Sequence, residues 1–167
     1  MDSQERRRLF VSNTKAGAKT IALMSGLAQD GALGKRTTLR IALYLAQTGL
    51  SIFTIDTLRE SGRTLGLNGA EMTANQQGDS YDAKATVCLQ FVSALIRHRE
   101  PTAFAASVRH MSEAGYSQAE VLEVMAQVSL SRLLCRMTAV AVPPGERVEH
   151  PGAALPFMIA SQESSSR

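Results

Sequence analysis

The sequence predicts an all-α fold, a helical bundle of about six to seven helices. Two observations carry that expectation. Apolar residues recur at i, i+3, i+4 and i+7 in successive segments, and no segment alternates with the period of two that a half-buried strand shows. Trp is absent and aromatic residues make up only 5% of the chain, so the core must be built from Ala, Leu, Val, Ile and Met. That composition suits close helix packing better than a β-sandwich.

Taken in order, residues 1–14 read as a flexible basic arm that includes Arg6, Arg7 and Arg8. The folded domain is expected over 15–145. Its first helix covers Lys15 to Gln29, where Ala18, Ile21, Ala22, Ser25 and Ala28 form a stripe of mostly small residues, and Gly31 and Gly34 end it. The second runs from about Thr37 to Gln47. Leu39, Ala42, Leu43 and Ala46 share one face, and Ile41 and Leu45 widen it, which marks a central helix. After Gly49, Ser51 is expected to cap a third helix that ends at Gly66.

A short helix over Gly69 to Gln76 follows, then one from Tyr81 to about His98. Ala85, Cys88, Leu89, Val92, Leu95 and Ile96 set the buried face of the longer one. The next spans Thr102 to Glu113. Ser117-Gln118-Ala119-Glu120 then matches a capping box and opens a last helix, with Val121, Val124, Met125, Val128 and Cys135 inward and Pro143-Pro144-Gly145 as its end. Residues 146–167 read as an extended tail whose Ser-rich end, 161–167, is too polar to pack.

At 167 residues the chain is the size of one domain. Its net charge is only +3, and the fourteen Arg among eighteen basic residues are spread along it, so no nucleic-acid partner is expected. The first eight residues are polar and charged with no apolar run behind them, unlike a signal peptide. No apolar stretch approaches the ~20 residues needed to span a bilayer, so no membrane association is expected. Two cysteines far apart, Cys88 and Cys135, make no disulfide framework and suit a cytoplasmic location.

Two stretches carry a family resemblance. One runs from Gly31 to Gly78 and holds Gly66-Leu67-x-x-x-Glu71. The other runs from Lys84 to Leu130 and holds Ala114-Gly115-Tyr116-Ser117-x-x-Glu120. As an ordered set they resemble the alkylhydroperoxidase D-like and carboxymuconolactone decarboxylase-like family. The resemblance implies an all-α fold and assembly as a homotrimer or hexamer.

Redox members of that family carry Cys-x-x-Cys-x-x-x-His at the start of the third helix. That spacing puts two thiols within one helical turn near the positive helix end, with an imidazole on the same face to move the proton. Counting back from Gly66, the matching positions here are Ser51, Thr54 and Leu58, and the family's supporting Glu falls near Thr38 or Leu39. Hydroxyls form no disulfide and Leu58 moves no proton. The resemblance therefore does not carry the peroxidase or disulfide reductase activity to this chain.

The remaining candidates are few. Ser51, Thr54, Asp56 and Thr57 form a polar group at the degenerate motif, read either as helix capping or as a residual pocket for a small polar or anionic ligand, with Ser51, Thr54, Asp56 and Thr38 as the candidate ligand-binding residues. Cys88 lies on an apolar stripe and reads as a core residue. Cys135 lies near Arg132 and Arg136, which would favour a thiolate if it were exposed; packing is the other reading. His98 and His110 stand apart and, with His150, give no metal site. No cofactor is expected.

The expected function is a small-ligand-binding or scaffold relative of a thiol peroxidase. An alternative is a cofactor-free decarboxylase-like enzyme using Arg40, Arg59, Arg63 and His110 in a pocket between subunits. A remote one is a helix-turn-helix DNA-binding regulator built on the hairpin at Gly115.

Overall fold

Eight α-helices and no strand make up the described residues, 3–97 and 101–140, of the computed structural model. They are α1 Ser3–Asn13, α2 Lys15–Asp30, α3 Lys35–Gln47, α4 Ile55–Thr64, α5 Gly69–Gln76, α6 Ala83–Arg97, α7 Pro101–Glu113 and α8 Gln118–Val140. The fold is the all-α bundle that the periodicity predicts, with one helix more than the expected upper count. The expected tail, 146–167, the Pro143-Pro144-Gly145 stop, His98 and His150 lie outside the described residues.

Two helices organise the rest. Helix α3 is apolar over most of its circumference, and it packs against α2, α4, α5, α6 and α8. Its Ile41, Tyr44 and Leu45 join Cys88, Leu89 and Val92 of α6 and Val121, Val124 and Val128 of α8 in the main core. Its opposite side, through Leu39 and Leu43, meets Leu58, Leu67 and Met72 in a second cluster. Helix α8 packs against α1, α2, α3, α6 and α7.

The extra helix is α1. The expected flexible arm is instead a helix through Asn13, because Val11 is buried at 2% exposure against Ile52 and Leu134. Thr14 separates it from α2 and caps the latter, its Oγ1 accepting the Gly17 N–H at 3.0 Å. The short break lets α1 fold back onto α2 and α8.

A second correction concerns α4. Thr54, not Ser51, is its N-cap, with Oγ1 accepting the Thr57 N–H at 3.3 Å. Ser51 Oγ instead accepts the Phe53 N–H at 3.0 Å in the preceding bend. Residues 51–53 form an irregular bend in which Ile52 is buried, and the helix starts a turn later.

Other ends agree with the sequence. The capping box is made: Ser117 N–H donates to Glu120 Oε2 at 2.7 Å, and Glu120 N–H donates to Ser117 Oγ at 3.2 Å. Gly66, just past α4, sits at φ +76°, a conformation glycine adopts cheaply. No helix among the described residues is long and apolar enough to cross a membrane.

Candidate functional site: an apolar cavity beside α3

A cavity of about 300 Å³ is lined by residues of α2, α3, α4 and α8. Its walls are chiefly apolar: Ile21, Met24 and Ala28 from α2, Leu39 and Ala42 from α3, Leu58 from α4 and Leu134 from α8, with Phe53 from the bend before α4. Small residues make the space. Ala28 and Ala42 stand where larger side chains would fill it, and of the α2 stripe read from the sequence Ile21, Ser25 and Ala28 line it while Ala18 and Ala22 are exposed.

Ser25, Gln29, Lys35, Thr38, Glu123 and Gln127 are the polar residues that line the cavity, and the side chains of two of them are committed. Glu123 accepts the Ala32 N–H at 2.6 Å and the Leu33 N–H at 2.8 Å, one on each carboxylate oxygen. It thereby holds the link between α2 and α3 against α8. Gln127 is 5% exposed and donates from Nε2 to the Thr38 carbonyl at 2.8 Å. Its Oε1 has no partner among the described residues. Lys35 is exposed in the first turn of α3, lines the cavity, and makes no hydrogen bond or ion pair among the described residues.

The polar group expected to form a site does not gather. Thr38 lines the cavity, but Ser51, Thr54 and Asp56 do not. Ser51 and Thr54 spend their hydroxyls on local backbone, and Asp56 is exposed in the first turn of α4. Capping and solvation account for this helix start. Of the degenerate motif positions, only Leu58 faces the cavity. Thr38 and Leu39, where the resemblance places a supporting Glu, line the same space.

Arg40, Arg59, Arg63 and His110 do not converge either, and none of them lines the cavity. Arg40 is buried in an ion network instead. Its Nε lies 3.1 Å from Glu71 Oε1, close but without hydrogen-bond alignment, and its Nη1 donates to Asp82 Oδ2 at 3.1 Å. Arg59 reaches Thr73 and the Gly69 carbonyl of α5, both at 3.4 Å. Arg63 and His110 are exposed on α4 and α7.

The thiols are both free. Burial pushes Cys88 up to about 12, consistent with its core position. Cys135 is half-buried, and burial pushes it up to about 11 rather than down. The expected influence of Arg132 and Arg136 does not prevail, because Cys135 packs with the cluster of Val11, Ile52 and Leu134. No group of three or more His, Cys, Asp or Glu among the described residues is placed to hold a metal ion.

The start of α8 offers little to a DNA groove. Val121 and Val124 are buried, and Glu120 and Glu123 are acids already bonded to backbone N–H groups.

No protein-family model, no curated protein and no solved structure matches this chain. Its chemistry has to be read from its own residues. Among the site residues that the sequence reading misses are Lys35, Phe53, Glu123 and Gln127. Gln127 gave one signal, a polar residue between Val124 and Val128 on a buried helical face. The others look like ordinary surface or linker residues until the chain is folded.

Proposed function

We propose that this protein binds a small, mainly apolar molecule in the cavity between α2, α3, α4 and α8, on an alkylhydroperoxidase D-like bundle without the redox cysteine pair. One observation carries the reading. Leu58, Thr38 and Leu39, the positions that the resemblance assigns to the family's proton-moving His and supporting Glu, line a common space of about 300 Å³. A space of that size, mostly apolar with a few placed polar groups, is at the lower end for a ligand site. Side chains with no imidazole or carboxylate in those places favour binding over thiol or acid–base chemistry.

Assembly as a homotrimer or hexamer belongs to the same reading. It is supported by Leu122, Leu133 and Val140, exposed at 58%, 46% and 85%. At ~3.6 residues per turn all three fall on one face of α8. A cytoplasmic location fits two unpaired thiols.

The test is titration with an uncharged apolar dye such as N-phenylnaphthylamine. Saturable binding is expected for the wild type. Ala42→Phe, which fills the cavity, should abolish it without lowering the melting temperature by more than a few degrees. No saturable binding, or equal binding to a folded Ala42→Phe variant, overturns the reading. A hydroperoxide assay with a dithiol donor should give no turnover above the protein-free rate.

A further inference from the structure

Three contacts fix the direction in which the cavity's α3 and α8 walls run. Helix α8 meets the start of α3 where Glu123 holds Ala32 and Leu33, meets its first turns where Gln127 holds the Thr38 carbonyl, and reaches its far end where Cys135 Sγ lies 4.0 Å from the Gly49 carbonyl oxygen. The two helices therefore run side by side in the same direction. The α2 wall extends from Gln29 to Ile21, about 12 Å at the helical rise of ~1.5 Å per residue. An apolar wall of that length gives an extended chain contacts along its whole run, which a compact ring would not use.

Its two ends differ. Among the described residues, Lys35 is the one basic residue that lines the cavity, and its ammonium has no partner. The one acid there, Glu123, has a backbone N–H on each oxygen and so does not compete for it. At the other end stand Ile21 and Phe53. These two residues also line a second space of about 280 Å³, whose remaining walls are Glu5, Leu9, Ser12 and Ile52. Ile21 and Phe53 thus stand between the cavity and a second, more open recess. Phe53 sits in the irregular bend before α4, and it packs against both the Leu39–Leu58 cluster and the Val11–Leu134 cluster.

We propose that the site takes an unbranched aliphatic carboxylate, with its head paired to Lys35 and its chain directed at Phe53, and that Phe53 and Ile21 limit the chain length. This rests on the reading of the cavity as a ligand site. A volume of about 300 Å³ beside an α2 wall of about 12 Å suits a chain near decanoate. A longer chain needs the second recess, and it can enter only if Phe53 or Ile21 is displaced.

The experiment is calorimetric titration with octanoate, decanoate, dodecanoate and palmitate, alongside decanol and the uncharged dye. Wild type is expected to bind decanoate best and palmitate at least about tenfold more weakly, a loss of roughly 1.4 kcal/mol. Phe53→Ala should remove that fall-off, and Ile21→Ala should do the same if Phe53→Ala does not fold. Lys35→Gln should weaken decanoate about threefold to fivefold, as expected for an exposed ion pair, and leave decanol unchanged. Dye binding without carboxylate binding overturns the ligand class and leaves the cavity reading standing. Failure of both overturns both. Carboxylate binding with no dependence on chain length, or with the same dependence in the folded variants at these two positions, overturns the role of Phe53 and Ile21.

Discussion

Arg40 and Glu71 form an ion pair at 3.1 Å that ties α3 to α5, with the two residues only 9% and 5% exposed. The Glu71 carboxylate has further work. Its Oε1 accepts the Ser80 hydroxyl at 2.6 Å, and its Oε2 accepts the Tyr81 N–H at 2.9 Å. It therefore sets the turn between α5 and α6 as well. Removing it leaves a buried guanidinium with one remaining acidic partner. Glu71→Ala is expected to destabilise the fold by about 3–5 kcal/mol, the usual cost of breaking a buried pair from one side. Urea unfolding of the variant measures it. A loss below about 1 kcal/mol would mean that the pair is solvated like a surface bridge.

The third member of that network supplies a pH dependence. Burial opposes ionisation of Asp82, but the Ala85 and Lys84 N–H groups and the Arg40 guanidinium outweigh it and hold the carboxyl below its ordinary 3.8. A depressed folded-state value means that the stabilisation is fully present above the unfolded value and is lost as pH falls through the folded one. Wild type should lose stability below about pH 3.8 partly through this group. Asp82→Asn should be less stable at neutral pH and show a shallower acid limb. Parallel acid limbs for the two proteins would remove Asp82 from the account.

How much of this was readable before folding depends on the range of each interaction. The capping box at Ser117 and Glu120 and the stop at Gly66 are local, and the sequence contains everything that decides them. Helix α1 is not. Arg6, Arg7 and Arg8 suggest a solvated arm, and only the distant Ile52 and Leu134 give Val11 a reason to bury. Ser51 and Thr54 are equally good caps by residue type, and residue type alone does not decide for Thr54. Gln127 bonds a carbonyl 89 residues away, and no spacing rule reports that. The cavity is the hardest feature of all, because it consists of what Ala28 and Ala42 leave unfilled.

Glu123 should prove a support of the cavity wall rather than a ligand-binding acid. Both of its oxygens are engaged by the Ala32 and Leu33 N–H groups, and Gly31 has no room for a β-carbon beside that carboxylate. Glu123→Ala is expected to cost about 1–3 kcal/mol by leaving these donors without their partner. Glu123→Gln, which keeps one acceptor oxygen, should recover part of the loss. Amide exchange at Leu33, part-buried in the wild type, should quicken in both variants and more in Ala. Unchanged exchange at Leu33 would show that the link between α2 and α3 holds without the carboxylate.

The thiols provide the last test, because burial sets both their values and their access. With Cys135 near 11 and Cys88 near 12, the thiolate fraction of Cys135 at pH 7 is about one in ten thousand, and that of Cys88 is lower still. Iodoacetamide at neutral pH should leave both unmodified in the native protein over a period that fully labels the denatured chain. As pH rises toward 11, Cys135 should react first, since it is half-buried whereas Cys88 is enclosed by the α3, α6 and α8 core. Labelling of Cys88 should follow global unfolding and stop when the fold is stabilised by ligand. Rapid native labelling of Cys135 at neutral pH would mean that Arg132 and Arg136 hold it as a thiolate. A reactive sulfur beside Gly49 would then have to be added to the chemistry of this bundle.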